Sequence, residues 1–238
     1  MTSEKDDMNK YYSEWWENPK DIRNVVFNSL NNYISQRISK NSGTRALDIG
    51  SGPGRIISYL VENGYDVSSI EINEQFCEMI RQKFPNVTVH QGDLADFDFK
   101  KIGTYDLITT IELIQNLNKQ EIISFLKKIQ PITNSLYISI SNSNCFHTHW
   151  INFRGWKKDF VYNYSPDEFT DLLTEARFEI VHERGFGFLT PVSLFDNFKG
   201  KIVPRWFAAF INKHFDERYP KQCHLYYYEA ITKKVDLK

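Results

Sequence analysis

The sequence has few cysteines, and this scarcity argues against two kinds of small scaffold. Its 238 residues contain three cysteines, at positions 77, 145 and 223, and none of them forms a Cys-x-x-Cys pair. An odd, scattered set of thiols is not typical of a disulfide framework or of a structural zinc site. We therefore expect a reduced, cytoplasmic protein that is stabilised by an ordinary hydrophobic core.

The sequence also lacks a charge excess and a long apolar run. Lys and Arg number 29 against 30 Asp and Glu, so the formal net charge is −1. Nucleic-acid binding usually requires a basic excess, and we expect no nucleic-acid partner. No apolar run approaches the roughly 18 residues of a membrane-spanning helix. The start, MTSEKDDMNK, lacks the charged-then-apolar order of a signal peptide.

Apolar segments of strand length alternate with segments of helical periodicity along the chain. The patterns predict strands at 45–49, 66–71, 87–91, 105–111, 136–141, 178–184 and 225–232. They predict helices at 20–40, 55–63, 73–84, 118–129 and 165–176, and partly over 191–215. This alternation is typical of a three-layer α/β fold.

The most informative segment is ALDIGSGPGRIISYL, residues 46–60, in which a buried strand meets a helix. Gly50, Gly52 and Gly54 follow the strand at alternate positions, and glycine is needed where backbone turns tightly or approaches a ligand. A dinucleotide fingerprint, GxGxxG, would place its third glycine at position 55, where this chain has Arg55. The spacing therefore disfavours NAD(P), although an acidic residue about 20 positions later would suit either cofactor.

The segment DIGSGPG resembles the first motif of class I S-adenosylmethionine (SAM)-dependent methyltransferases, an acidic residue followed by xGxGxG. The resemblance extends over 44–186, with VSSIEIN, VHQGDLADF and TTIELIQNL as the later motifs. It implies an α/β fold with a doubly wound, seven-stranded, mostly parallel sheet of the Rossmann-like type and an antiparallel last strand. It also implies SAM as cofactor and S-adenosylhomocysteine as product.

The resemblance also implies roles for individual residues. Asp48 would orient the methionine end of the cofactor, Glu71 would accept both ribose hydroxyls, and Asp93 would accept the adenine amine. Ile72 and Leu94 would enclose the base. The full set of expected cofactor residues is Tyr11, Tyr12, Trp16, Asp48, Gly50, Ser51, Gly52, Gly54, Glu71, Ile72, Asp93, Leu94, Ile111 and Glu112.

The parts of the chain outside the core are interpreted as additions to one domain, 1–238. Residues 1–43 would form a helical lid, with Tyr11, Tyr12 and Trp16 over the cofactor or packed on the core. Residues 44–186 would bind the cofactor, 187–222 would be a helical insertion, and 223–238 would hold the last strand. Within the insertion, 191–214 is a candidate for a weak membrane-surface contact, an acceptor wall or a packed helix.

Catalytic candidates lie after strands four and five. His147 and His149 stand in a polar, aromatic loop, where a histidine can act as a base toward a hydroxyl. On a strand-like segment the two would share a face, as a metal pair would. Glu112 is the third candidate, because the resemblance places it near the cofactor. Ubiquinone-type O-methyltransferases carry Glu-x-x-Glu-His at this point, but amides stand at 115 and 116 here, so we predict no metal.

These observations favour a methyltransferase for a small-molecule acceptor, with a hydroxyl of a sugar, lipid or natural product as the expected target. The alternatives are an RNA or protein methyltransferase and a non-catalytic SAM-binding regulator. The sequence leaves open whether the protein is a monomer or a homodimer.

Overall fold

The structure is a computed structural model, and it describes residues 24–153, 162–188 and 205–233. Its strands are β1 Arg45–Ile49, β2 Asp66–Glu71, β3 Thr88–Gln91, β4 Tyr105–Thr110, β5 Thr133–Ser141, β6 Phe178–Phe186 and β7 Leu225–Thr232. Its helices are α1 Asn24–Ile38, α2 Arg55–Glu62, α3 Glu74–Lys83, α4 Lys119–Ile129, α5 Phe146–Phe153, α6 Pro166–Glu175 and α7 Arg205–Phe215.

The seven strands form one sheet in the order β3-β2-β1-β4-β5-β7-β6. Strands β1 to β5 are parallel to one another, and β7 runs antiparallel between β5 and β6. The predicted fold class, including the antiparallel last strand, is confirmed. The strand order reverses between β1 and β4, and ligands of open α/β sheets bind at the carboxyl ends of the strands beside such a reversal.

Helices cover both faces of the sheet and produce two hydrophobic clusters. Helices α4 and α6 pack on one face, where Phe125, Leu126 and Phe169 are almost completely buried. Helices α1 and α2 pack on the other face, where Leu30 and Leu60 are inaccessible to solvent. Strand residues alternate between the two clusters, as the period of two in a β-strand requires.

Several helix starts follow capping signals that the sequence shows. Asn73 accepts hydrogen bonds from the backbone of Gln75 and Phe76 and fixes the first turn of α3 directly after β2. Asn118 and Glu121 form a reciprocal capping box at the start of α4. These caps matter for function because they determine where the chain leaves the carboxyl ends of β2 and β4.

The predicted partial helix within 191–215 is present at Arg205–Phe215. Other predictions differ from the structure. Strand β5 begins at Thr133 rather than at residue 136, because Thr133 already pairs with Tyr105 of β4. The segment 146–153, interpreted above as a loop, is helix α5. Among the described residues no helix combines the length and the apolarity that crossing a membrane requires.

Candidate functional site

A cavity of about 260 Å³ lies at the carboxyl ends of β1, β2, β3 and β4, beside the reversal of strand order. Four turns contribute its walls. The residues that line it are Gly50, Gly52, Pro53, Ile70, Glu71, Ile72, Asn73, Phe76, Gly92, Asp93, Leu94, Ile111, Glu112, Leu113, Asn116 and Leu117. Eight of the predicted cofactor residues are therefore brought together here, from segments as distant in the sequence as Gly50 and Glu112.

The turn after β1 owes its course to glycine. Gly50 has a φ of +71°, Gly52 of +51° and Gly54 of +84°, a region that L side chains rarely adopt. At Gly50 a Cβ atom would also stand 2.9 Å from a methyl carbon of Leu113. Only glycine therefore meets both conditions at this position, and the backbone can form the cavity wall directly.

Glu71, at the end of β2, is held in place by backbone donors. Its Oε2 accepts a hydrogen bond from the Gly52 amide at 2.8 Å, and its Oε1 accepts one from the Asn73 amide at 2.9 Å. The side chain is 7% exposed and lines the cavity. An ionised carboxylate has about four acceptor positions, so each oxygen keeps one for a ligand.

Asp48, in β1, is buried with one oxygen unsatisfied. It is 2% exposed, and its Oδ1 accepts a 2.6 Å hydrogen bond from the Thr109 hydroxyl of β4. Among the described residues its buried Oδ2 has no hydrogen-bond partner. Burial raises the pKa of the carboxyl to about 6, although the Thr109 bond acts in the opposite direction. A buried acceptor without a partner is costly, and a ligand with an N–H group would complete it.

The far end of the cavity is apolar with one acidic group. Ile72 is 50% exposed at the rim, and Leu94 faces the same space from the turn after β3. Asp93 is exposed, and its Oδ1 accepts a hydrogen bond from the Ala95 amide at 3.0 Å. Lys128 donates hydrogen bonds to the carbonyls of Leu94 and Ala95 and fixes this turn against α4.

Glu112 follows β4 and has a strained backbone, with a φ of +61° in a residue other than glycine. The Ser139 hydroxyl of β5 accepts a hydrogen bond from the Glu112 amide at 2.9 Å and donates one to its Oε1 at 3.0 Å. The side chain amide of Gln115 donates to the Glu112 carbonyl at 2.5 Å. Burial of the carboxyl raises its pKa to about 7, against the effect of the Ser139 bond.

The two histidine candidates lie on a helix, which corrects the prediction of a loop. Helix α5 begins after Cys145, whose sulfur accepts a hydrogen bond from the Thr148 amide at 3.3 Å. This bond has the pattern of an N-cap, but cysteine is outside the usual set of Ser, Thr, Asp and Asn, so the sequence gives no recognisable start signal. Positions two apart do not face each other on a helix, so the reason for a metal pair at His147 and His149 no longer holds. His149 is exposed and does not line the cavity.

Other predicted residues lie at or beyond the edge of the cavity. Asp48, Ser51 and Gly54 are not among its lining residues, although Ser51 donates a hydrogen bond to the Asp48 carbonyl at 2.9 Å. Tyr11, Tyr12 and Trp16 lie outside the described residues. Within the described ranges, no three His, Cys, Asp or Glu side chains are grouped closely enough to hold a metal ion.

Sequence reasoning missed several lining residues, of which Asn73, Phe76 and Asn116 are the most informative. Asn73 was recognised as a helix cap, and its second role, the amide bond to Glu71, depends on how β2 and α3 meet. Phe76 stands one turn into α3, at a position that amphipathic patterning assigns to packing. Asn116 has a buried side-chain oxygen with no partner in the described residues, a feature that only coordinates reveal.

Comparisons with known proteins agree with this geometry. Residues 46–135 match a family model described as "Methyltransferase domain". The fold is similar to the crystal structure of magnesium protoporphyrin IX methyltransferase from Synechocystis PCC 6803 with bound S-adenosylhomocysteine. The TM-score is 0.69 at 14% sequence identity, and the alignment covers 96% of this chain and 100% of that chain. At this identity the likeness shows the fold.

Two curated relatives match over shorter segments. A ribosomal RNA small subunit methyltransferase A from Geobacter sulfurreducens is 33% identical over 76 residues, which cover 30% of this chain and 28% of the relative. A ubiquinone biosynthesis O-methyltransferase from Vibrio parahaemolyticus is 23% identical over 111 residues, 44% of this chain and 47% of the relative. The chain thus spans less than half the length of these relatives.

The matched segment contains β1 to β4, the glycine turn and all of the cavity's lining residues. The sheet order and the antiparallel β7 extend the agreement to the remainder of the described residues. Residues 46–135 therefore match a methyltransferase domain, and the described residues have the fold of class I, SAM-dependent methyltransferases.

Proposed function

We propose that this protein binds SAM in the cavity and transfers its methyl group to a small-molecule acceptor, releasing S-adenosylhomocysteine. One observation carries the proposal: two buried carboxylates, Asp48 and Glu71, flank a glycine turn and keep acceptor positions for a ligand. The bound cofactor supplies a methyl group that is already activated by a sulfonium charge. The protein's task is to bind and align it.

The residues fit this cofactor from one end to the other. The free Oδ2 of Asp48 suits the amino group of the methionine moiety, directly or through a water molecule. Glu71 suits the two ribose hydroxyls, because each of its oxygens retains an acceptor position. Ile72 and Leu94 provide apolar contacts for the adenine, and Asp93 provides an acceptor for its amine.

The acceptor is proposed to be a small molecule with a hydroxyl group. The ubiquinone biosynthesis O-methyltransferase supports an oxygen acceptor through its name, and the magnesium protoporphyrin IX methyltransferase supports a small molecule. The ribosomal RNA enzyme supports the alternative of a nucleic-acid acceptor, which the formal net charge of −1 disfavours. A non-catalytic SAM-binding regulator would bind the cofactor with the same residues and would show no turnover with any acceptor.

Two further proposals concern the additions to the core within a single domain, 1–238. Within the predicted lid, 1–43, helix α1 is packed on the sheet. The lid role is therefore proposed for Tyr11, Tyr12 and Trp16, which lie outside the described residues and would cover the cofactor and exclude water. Within the insertion 187–222, the segment 191–214 makes a weak contact with membrane surfaces. In its helix α7, Trp206 is 71% and Phe210 53% exposed, and Lys213 lies in the last turn. Flotation with anionic vesicles tests this contact, and an absence of lipid-dependent binding would remove it.

The cofactor proposal is tested by calorimetric titration with SAM and with S-adenosylhomocysteine. The wild-type protein should bind both, and Gly50→Ala should abolish binding because the new methyl group meets Leu113 at the cavity wall. Gly64→Ala is the matched control, since Gly64 has a similar φ of +81° and open space around its Cβ position. Both variants carry comparable backbone strain, so only a site effect separates them.

The result that would overturn the proposal is equally specific. A wild-type protein that ignores both compounds at millimolar concentration has no such site. Retained binding in a correctly folded Gly50→Ala protein would place any site elsewhere. Circular dichroism of both glycine variants establishes that the fold is intact before binding is compared.

A further inference from the structure

Glu112 differs from the other acidic residues of the cavity in how its carboxyl group is held. Glu71 receives two backbone amide bonds, and Asp93 receives one at the exposed rim. Glu112 receives a single bond, from Ser139 to Oε1. Among the described residues its Oε2 takes no hydrogen bond and no cation pairs with it, although the residue lines the cavity.

The backbone at Glu112 has a strained conformation, which accompanies the position of its carboxyl group at the cavity. A φ of +61° is unfavourable for a glutamate, and such strain persists only where surrounding contacts impose it. Ser139 is completely buried in β5, and its one hydroxyl binds both the amide and the carboxyl of Glu112. These two hydrogen bonds therefore fix the Glu112 side chain at the cavity wall, directly after the end of β4.

We propose that Glu112 is a catalytic residue whose Oε2 faces the transferable methyl group and accepts the proton that the acceptor loses. This inference rests on the proposed function and adds that the acceptor is a neutral hydroxyl or amine with a proton to give up. As the acceptor's oxygen or nitrogen forms its bond to the methyl carbon, the carbon–sulfur bond breaks and its electron pair stays on sulfur. The proton passes to Oε2, so the sulfonium becomes a neutral thioether and the carboxylate becomes a neutral carboxylic acid.

The chemistry of the site agrees with this role. Burial brings the pKa of Glu112 to about 7, and a general base is most effective when its pKa lies near the working pH. No charged neighbour contributes to that shift, since burial and the Ser139 bond are its only causes. The titratable groups that share the cavity are Glu71 and Asp93, which stand at the ends of β2 and β3. His149, the alternative base, is exposed on α5.

The test uses two ligands that differ at the methyl position. In sinefungin a primary amine stands where SAM carries its methyl group, whereas S-adenosylhomocysteine carries nothing there. A carboxylate facing this position should favour sinefungin, and Glu112→Gln should reduce the ratio of the two affinities about tenfold or more. Asp93→Asn is the control, because it should weaken both ligands equally and leave the ratio unchanged.

The pH dependence of the same ratio reports the proton acceptor. In the wild type the preference for sinefungin should fall as the pH drops through about 7, where Glu112 becomes protonated, and in Glu112→Gln the ratio should be flat. Asp48 also titrates, near pH 6, but it acts on the methionine end that both ligands share, so its effect cancels in the ratio.

A second variant separates the carboxyl group from the strained backbone. Glu112→Gly accepts a φ of +61° without strain, so it should fold stably and still lose the preference for sinefungin. If the wild type binds both ligands and neither Glu112 variant changes the ratio of the two affinities from its wild-type value, the inference fails and the proposed function stands. A ratio that is flat with pH in the wild type would overturn the role as proton acceptor. If the wild type binds neither ligand, the proposed function itself fails.

Discussion

Two buried carboxylates lie in one row of residues across the sheet, and one of them is paired with a cation whereas the other is not. Pairing in the sheet aligns Asp48 of β1 with Thr109, Thr109 with Tyr137, and Tyr137 with Glu229 of β7. Glu229 is 3% exposed and accepts two hydrogen bonds from Arg37 of α1, at 2.5 and 2.6 Å. Asp48 is equally buried, yet no cation reaches it in the described residues and its Oδ2 is unpartnered.

The difference indicates what each carboxylate is for. A fully paired buried charge anchors an element, and here it fixes α1 against β7. A buried charge with an open acceptor position is a cost to the fold unless a ligand completes it. Changes that act on only one of the two carboxylates should therefore affect stability at Glu229 and ligand binding at Asp48.

Removing the cation from the paired carboxylate should have the largest effect. Arg37→Met keeps the apolar stem but leaves Glu229 buried and unpaired, and should lower the free energy of unfolding by about 3 kcal/mol. Urea denaturation measures the loss. Lys40→Met is the control, since Lys40 lines the same small cavity as Arg37 but forms no salt bridge within the described residues. Loss of SAM affinity with unchanged stability would contradict the structural role of Arg37.

The unpaired carboxylates should make the ligand-free protein less stable as the pH rises. The pKa is raised in the folded state for Asp48, to about 6, and for Glu112, to about 7. The folded protein therefore holds these protons where the unfolded chain has released them. Stability from both groups is present below about pH 4 and is lost as the pH rises through 6 and 7.

Denaturation from pH 4 to 8 measures this dependence. Glu112→Gln should flatten it and gain about 2–3 kcal/mol over the wild type at pH 8, relative to pH 4. Glu175→Gln is the control, because Glu175 is exposed and paired with Lys127, and its profile should run parallel to the wild type. A wild-type stability that is independent of pH in this window would show that neither group is held protonated.

Glu71→Ala should weaken SAM binding by about 1–3 kcal/mol, because it removes charge-assisted acceptors for the proposed ribose contact. The same change leaves the Gly52 and Asn73 amides without their acceptor, so a modest loss of stability should accompany it. Glu78→Ala, on the exposed side of α3, should leave both quantities unchanged. An unaltered dissociation constant in Glu71→Ala would exclude the carboxylate from the site.

The smallest effect concerns the affinity for S-adenosylhomocysteine as the pH is lowered. If the open oxygen of Asp48 binds the ligand's ammonium group, protonation of Asp48 should cost up to about tenfold in affinity per pH unit below about 6. Asp48→Asn should bind weakly with a flat pH profile. A wild-type affinity profile without an inflection near pH 6 would show that Asp48 does not bind the ligand's ammonium group.

The contrast also shows how far the sequence could be interpreted alone. The glycine turn, Glu71 and Asp93 were predicted because their contributions are local: each follows a strand end, and parallel strands bring such ends to one edge. The pairing of Arg37 with Glu229 could not be predicted, since the two residues are 192 positions apart and meet only when α1 packs on β7. Helix α5 was missed because a thiol, rather than a usual capping residue, begins it.

The residues alone predict the order of strands and helices along the chain, the class of fold and the segments that meet at the carboxyl edge. The period of the hydrophobic residues and the conformational freedom of glycine are local properties, so they can be recognised in the sequence alone. Tertiary structure alone decided which buried carboxylate receives a cation, which one keeps an open oxygen, and that Ser139 of β5 fixes Glu112. The physical reason is that burial and hydrogen-bond satisfaction arise between strands and helices that are distant in the chain.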